Sequence, residues 1–127
     1  MQRFVKVVCV IVGVSILLLA GCIAADQIAF SQAKPPRSVT DVSSCLAWLK
    51  KPMGAYRITD GDLIYYRVTG PAGRCLASGP SAYTFDSHGK FVGWTEDVGD
   101  FPTPGLHLSS AAKRDTISLD QLRQSVQ

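Results

Sequence analysis

Residues 55–69 read Ala55-Tyr56-Arg57-Ile58-Thr59-Asp60-Gly61-Asp62-Leu63-Ile64-Tyr65-Tyr66-Arg67-Val68-Thr69, two runs of β-branched and aromatic residues around an acidic turn. Such side chains suit a pleated, half-buried surface, and an Asp-Gly pair accepts the positive φ of a tight connection. The stretch therefore predicts a β-hairpin with strands at residues 55–59 and 63–69. Alternation places Ile64, Tyr66 and Val68 on one face and Leu63, Tyr65 and Arg67 on the other, one core-facing and one partly wet.

Downstream, Gly70-Pro71-Ala72-Gly73 breaks the sheet and delivers Arg74-Cys75-Leu76 as a short strand or loop edge. A second hairpin is expected from residues 82–85 and 90–95 around Asp86-Ser87-His88-Gly89. Upstream, Val42, Cys45, Leu46 and Leu49 recur at helical spacing with Trp48 beside them. Ser38 or Thr40 can cap that helix, Lys50-Lys51 suit its negative end, and Pro52 stops it. The expected fold is α+β: a small two-layer domain with a three- or four-stranded antiparallel sheet, one N-terminal helix and a short C-terminal helix. Pro102-Thr103-Pro104-Gly105 ends the sheet. In the polar tail at 106–127, Ser118-Leu119-Asp120-Gln121 fits a capping box, and Leu119, Leu122 and Val126 form a narrow stripe. A helix that short is unstable alone, so it docks, frays or binds a partner. No internal repeat of useful length is present.

The chain begins with Arg3 and Lys6 followed by thirteen apolar or small residues at 7–19. That pattern fits the charged and apolar regions of a signal peptide and falls short of the roughly 20 residues of a membrane span, the rival reading being an uncleaved anchor. Leu19-Ala20-Gly21-Cys22 closes the run and resembles the lipobox of bacterial lipoproteins. The resemblance implies that residues 1–21 are removed and that Cys22 carries a thioether-linked diacylglycerol plus an amide-linked acyl chain such as palmitate. Because Ile23 rather than Asp follows the cysteine, it further implies an outer-membrane location facing the periplasm, with the inner membrane or the cell surface as alternatives. Buried methylenes contribute about 0.8 kcal/mol each, so several chains hold far more durably than one.

Loss of Arg3 and Lys6 lowers the basic residues from 13 to 11 against 10 acidic ones, a formal charge of +1. That is no nucleic-acid footprint, and the positive mean hydropathy of the whole chain, +0.15, has the same N-terminal origin. Of four cysteines, Cys9 leaves with the signal and Cys22 is consumed by lipid. Cys45 and Cys75 then remain as an expected disulfide in an oxidising compartment, the alternative being two unrelated buried thiols. Closing that loop contributes roughly 3–4 kcal/mol on the chain-entropy account. Residues 22–38, ending in Lys34-Pro35-Pro36-Arg37, read as a flexible tether, leaving residues 39–105 as the folded domain near the size where a core alone is marginal.

The chemistry-bearing residues do not assemble into a site. His88 falls in a hairpin turn and His107 in the tail beside Ser109-Ser110, without the elbow that presents a catalytic serine. Glu96, Asp97 and Asp100 lack the ligand alternation of a calcium loop, and neither zinc spacing nor a phosphate-binding glycine loop is present. No cofactor and no metal site is expected. Seven strand aromatics exceed what one short helix covers, so Tyr65, Arg67, Tyr83 and Trp94 form the candidate partner surface; the competing reading is a larger core that recruits the C-terminal helix.

Two further resemblances concern the domain. The order helix, Lys-Lys-Pro, hairpin, then Tyr83-Thr84-Phe85-Asp86-Ser87-His88-Gly89-Lys90-Phe91-Val92-Gly93-Trp94 is similar to the SmpA/OmlA outer-membrane assembly lipoproteins, which implies a scaffold. Ser78-Gly79-Pro80-Ser81-Ala82-Tyr83 with Trp94-Thr95 resembles the motifs of lipoprotein inhibitors of C-type lysozyme, with Glu96 where that family carries lysine. The expectation is a non-enzymatic envelope lipoprotein, held by lipid on Cys22, that binds or scaffolds an envelope protein. The alternative is an inhibitor or immunity-type binder of a hydrolase or toxin.

Overall fold

The computed structural model describes residues 1–70, 80–95 and 106–127. Its elements are α1 (Gln2–Ala33), α2 (Val42–Leu49), β1 (Gly54–Asp60), β2 (Leu63–Gly70), β3 (Ser81–Phe85), β4 (Phe91–Thr95), β5 (Lys113–Ile117) and α3 (Leu119–Ser125). The strands form one antiparallel sheet in the order β4-β3-β2-β1-β5. The architecture is α+β, with five strands rather than the three or four expected.

Both expected hairpins form. Asp60 pairs with Leu63 across Gly61-Asp62, and Gly61 takes a φ of 60°, which only glycine adopts without strain. In the second hairpin the Asp86 carboxylate accepts from the amides of His88 and Lys90, both at 2.9 Å, while Gly89 turns the chain at φ 79°. The Phe-Asp-x-x-Gly segment is thereby explained by turn geometry.

The register puts Ala55, Tyr66, Val68, Tyr83 and Phe85 on one face of the sheet. There they pack with Val42 and Cys45 of α2 and Leu122 of α3 in a single core. Each large apolar side chain so buried contributes about 1.5–3 kcal/mol. Trp48 meets the Tyr83 ring edge-on at 5.5 Å, and Phe85 meets Phe91 at 5.8 Å. α2 begins at Asp41, not at Ser38 or Thr40. The Asp41 carboxylate accepts from the Ser44 amide at 2.8 Å, and Ser44 Oγ accepts in return from the Asp41 amide. The Ser44 amide, together with the Ser44 hydroxyl donating to the same carboxylate oxygen at 2.8 Å, holds the Asp41 carboxyl below its usual pKa.

The residues expected as a polar tail complete the domain. β5 pairs with β1, setting Asp115 opposite Arg57 and Ile117 opposite Ala55. α3 starts in the expected Ser118/Gln121 capping box and buries Leu122 completely. β5 has one apolar residue in five, so cross-strand pairing rather than its own pattern makes it a strand. Its charged residues also suit an edge position.

Two further expectations change. α1 continues without interruption to Ala33, so the first part of the expected tether at 22–38 is helix. Cys45 is a free, fully buried thiol, whereas Cys22 is disulfide-bonded, so the Cys45–Cys75 pairing is not formed. The helical spacing that buries Cys45 aims its sulfur into the core among Val42, Tyr83 and Leu122, where it acts as a small apolar side chain. Cys75, with Arg74 and the Gly70-to-Gly73 break beyond its first residue, lies outside the described residues. So do Ser78-Gly79, Glu96, Asp97, Asp100 and Pro102–Gly105.

Candidate functional site: the N-terminal helix and its seat on the domain

α1 has two parts of different character. Its best 18-residue window has a mean hydropathy of 2.9 and no buried residue, and the side chains of Ile11, Leu17, Leu18 and Leu19 lie open. Between Lys6 and Asp26 the helix carries no charge over residues 7–25. At 1.5 Å per residue these nineteen positions cover about 28 Å, close to the roughly 30 Å of a bilayer's hydrocarbon. The thirteen-residue count taken from sequence stops at Leu19. Unbroken helix through Gly21 and Cys22 adds Ile23, Ala24 and Ala25 to the apolar length.

The second part is docked. Asp26, Ala29 and Ala33 are buried and Cys22 half-buried, at spacings of four, three and four that define one helical face. Small residues there let the helix approach closely. At its C-terminus the Ala33 carbonyl, one of the four that a helix leaves without an internal partner, accepts a 2.5 Å hydrogen bond from Tyr83 Oη. Ser81 Oγ lies 3.0 Å from the same hydroxyl. Burial is the main reason the Tyr83 phenol sits above its ordinary pKa, the Ser81 contact opposing it. Tyr83 is thus the bolt between α1 and the sheet, a role that the sequence signals only through the recurrence Ala25, Ala29, Ala33.

The expected partner surface does not survive as one surface. Tyr83 and Trp94 lie opposite each other on the helix-covered face, and Tyr83 is fully buried. Tyr65 and Arg67 belong to the other face, where Arg67 is 1 % exposed. Arg67 Nε donates to Thr84 Oγ1 at 2.9 Å and Nη1 to Tyr56 Oη at 3.1 Å, along the row in which Tyr56, Arg67 and Thr84 are direct cross-strand neighbours. The Tyr56 ring also lies within 5.6 Å of the Arg114 guanidinium. Ile58, Ala82 and Thr84 are buried on this face too, while Leu63 is 53 % exposed and Tyr56 and Tyr65 are half-buried, so the face is closed around Arg67 and partly wet towards the first hairpin. The larger core that recruits the C-terminal helix takes in Tyr66, Tyr83, Phe85, Phe91 and Trp94, while Tyr56 and Tyr65 lie half-buried on the other face.

An open polar groove of about 440 Å³ runs between β5 and α3, lined by Arg57, Asp115, Ile117, Gln121, Gln124 and Ser125. The Arg57–Asp115 pair across it is 3.5 Å long and half exposed, a geometry that contributes little to stability.

Ser109 and Cys45 are committed elsewhere. Ser109 donates from both its amide and its hydroxyl to the Asp60 carboxylate, which the two bonds hold below its usual pKa. A serine bonded directly to the carboxylate leaves no place for an imidazole between them, as a triad requires. His88 and His107 are both exposed. Burial pushes the Cys45 thiol up to about 12, far from a reactive thiolate.

Comparison with protein-family models, with curated proteins and with solved structures finds no match to this chain.

Proposed function

We propose that this chain is a membrane-anchored module of the bacterial envelope that binds or scaffolds an envelope protein without catalysing a reaction, and that lipid on Cys22 is its anchor. The observation that carries the reading is the fully exposed apolar half of α1 on an otherwise well-packed domain. An apolar helix of that length is costly in water, and either insertion in a bilayer or removal after targeting relieves the cost. The lipobox-like Leu19-Ala20-Gly21-Cys22 and the preceding cations favour removal with acylation. Scaffolding, including a part in outer-membrane assembly, fits a domain in which Cys45 is buried, Ser109 is bonded to Asp60, and the polar groove is open.

The second reading is an uncleaved single span with the domain outside, favoured by the disulfide at Cys22 and the nineteen uncharged residues of continuous helix. Cys22→Ser separates the two. Under the lipoprotein reading the variant accumulates as a precursor without incorporated palmitate; under the span reading it fractionates with membranes at unchanged length, as the wild type does. Crosslinking from Gln121 or Gln124 in the groove identifies the partner: assembly components support the scaffold, and a hydrolase or toxin supports an inhibitor.

A further inference from the structure

We infer that the sulfur of Cys22 is a branch point, at which disulfide formation and acylation compete and decide whether the chain remains a full-length span or becomes a lipid-anchored domain. The inference rests on the lipoprotein reading above and extends it to the regulation of that site.

Two observations meet at this atom. Cys22 terminates the lipobox-like sequence, and in the folded full-length chain it is disulfide-bonded. Acylation joins Cys22 Sγ to a glyceryl carbon of a phospholipid, breaking the bond to the phosphate headgroup, which leaves as the thiol gives up its proton. Disulfide formation instead takes Cys22 and a second thiol to one S–S bond, releasing two protons and passing two electrons to a disulfide-donating oxidase of the envelope. One sulfur cannot do both. The oxidised product is also protected by the fold, because Asp26, Ala29 and Ala33 are buried and Tyr83 caps the helix that continues through the cleavage position. A signal peptidase needs that backbone accessible, and docked helix withholds it. Folding before acylation therefore traps the full-length form, and acylation before folding releases the domain with residues 22–33 as a short docked stalk.

The same geometry predicts that the thiol competing for Cys22 is not Cys45, whose sulfur is sealed in the core. The test uses the full chain expressed in a bacterial envelope and read by intact mass and non-reducing peptide mapping, with and without dithiothreitol in the medium. A Cys9→Ser/Cys45→Ala/Cys75→Ser variant leaves Cys22 with no thiol in its own chain, at unchanged redox conditions, and Cys45→Ala alone is the control. Expected are two wild-type forms, full-length with oxidised Cys22 and processed with acylated Cys22. Reductant and the triple variant should each raise the processed-to-full-length ratio at least two-fold, and the single variant should leave it unchanged. Acylated protein at the same ratio in every arm overturns the competition while leaving the lipoprotein reading intact. No acylated protein in any arm overturns both.

Discussion

Gly89→Ala probes the feature that most enlarges this domain beyond its strand-rich middle, the docking of α3. Gly89 has a φ of 79°, and a Cβ built there falls 2.8 Å from Val126 Cβ, with both Val126 methyls within 3.3 Å. The backbone conformation alone costs an alanine about 1–2 kcal/mol. Overpacking adds about 1–3 kcal/mol, because Val126 is held by the helix that buries Leu122 and retreats only if that contact loosens. The expected loss is about 2–5 kcal/mol, read as a lower urea midpoint by Trp48 and Trp94 fluorescence of the detergent-solubilised chain. Gly61→Ala calibrates it, since Gly61 has a φ of 60° but nothing within 4 Å of the added Cβ, so only the backbone part is lost. In a Val126→Gly background the excess at Gly89 should disappear. Equal losses at Gly61 and Gly89 in the native background would refute α3 docking against the second hairpin.

Three more outcomes follow from named contacts. Tyr83→Phe leaves the buried Ala33 carbonyl and Ser81 hydroxyl without this partner, and should cost about 1–3 kcal/mol together with faster amide exchange across residues 26–33; protection unchanged there would show that α1 is not bolted at this point. Arg67→Ala removes a buried guanidinium from Thr84 and Tyr56 and should destabilise by about 3–5 kcal/mol in denaturant titration, whereas an exposed contact arginine would cost under about 0.5 kcal/mol. Cys45 is raised from 9.0 to about 12 in the folded chain, so the unfolded chain loses that proton first. Its contribution is therefore intact below pH 9 and falls away between pH 9 and 12, by up to about 1.4 kcal/mol per pH unit, with Tyr83 acting in the same direction. Cys45→Ala should flatten that alkaline decline, and native protein at pH 8 should resist alkylation at Cys45.

The hairpins, α2 and the capping box of α3 were legible because each rests on local chemistry: an Asp-Gly turn, a 3-4 apolar spacing, a Ser-x-x-Gln cap. β5 was not, since Lys113-Arg114-Asp115-Thr116-Ile117 becomes a strand only through its pairing with β1. The anchor region misled for a different reason. Composition marks residues 22–33 as small and polar, which describes a tether, but Ala25, Ala29 and Ala33 at intervals of four describe a close-packing helix face equally well. Arg67 and Tyr83 read as contact residues from their type, while Thr84 and Tyr56 on the strands beside Arg67, and Ser81 two residues before Tyr83 on β3, supply hydrogen bonds that allow both to be buried. A Cys45–Cys75 pair follows by elimination only where Cys22 is already committed to lipid, and the oxidised Cys22 removes that premise.

The direct measurement is the mass of the native protein extracted from membranes of cells treated with reductant. The account predicts a chain that starts at Cys22 and carries the added mass of diacylglycerol and one further acyl group, a species absent from Cys22→Ser cells. A single species that starts at Met1 and bears no lipid, in reduced and untreated cells alike, would contradict it.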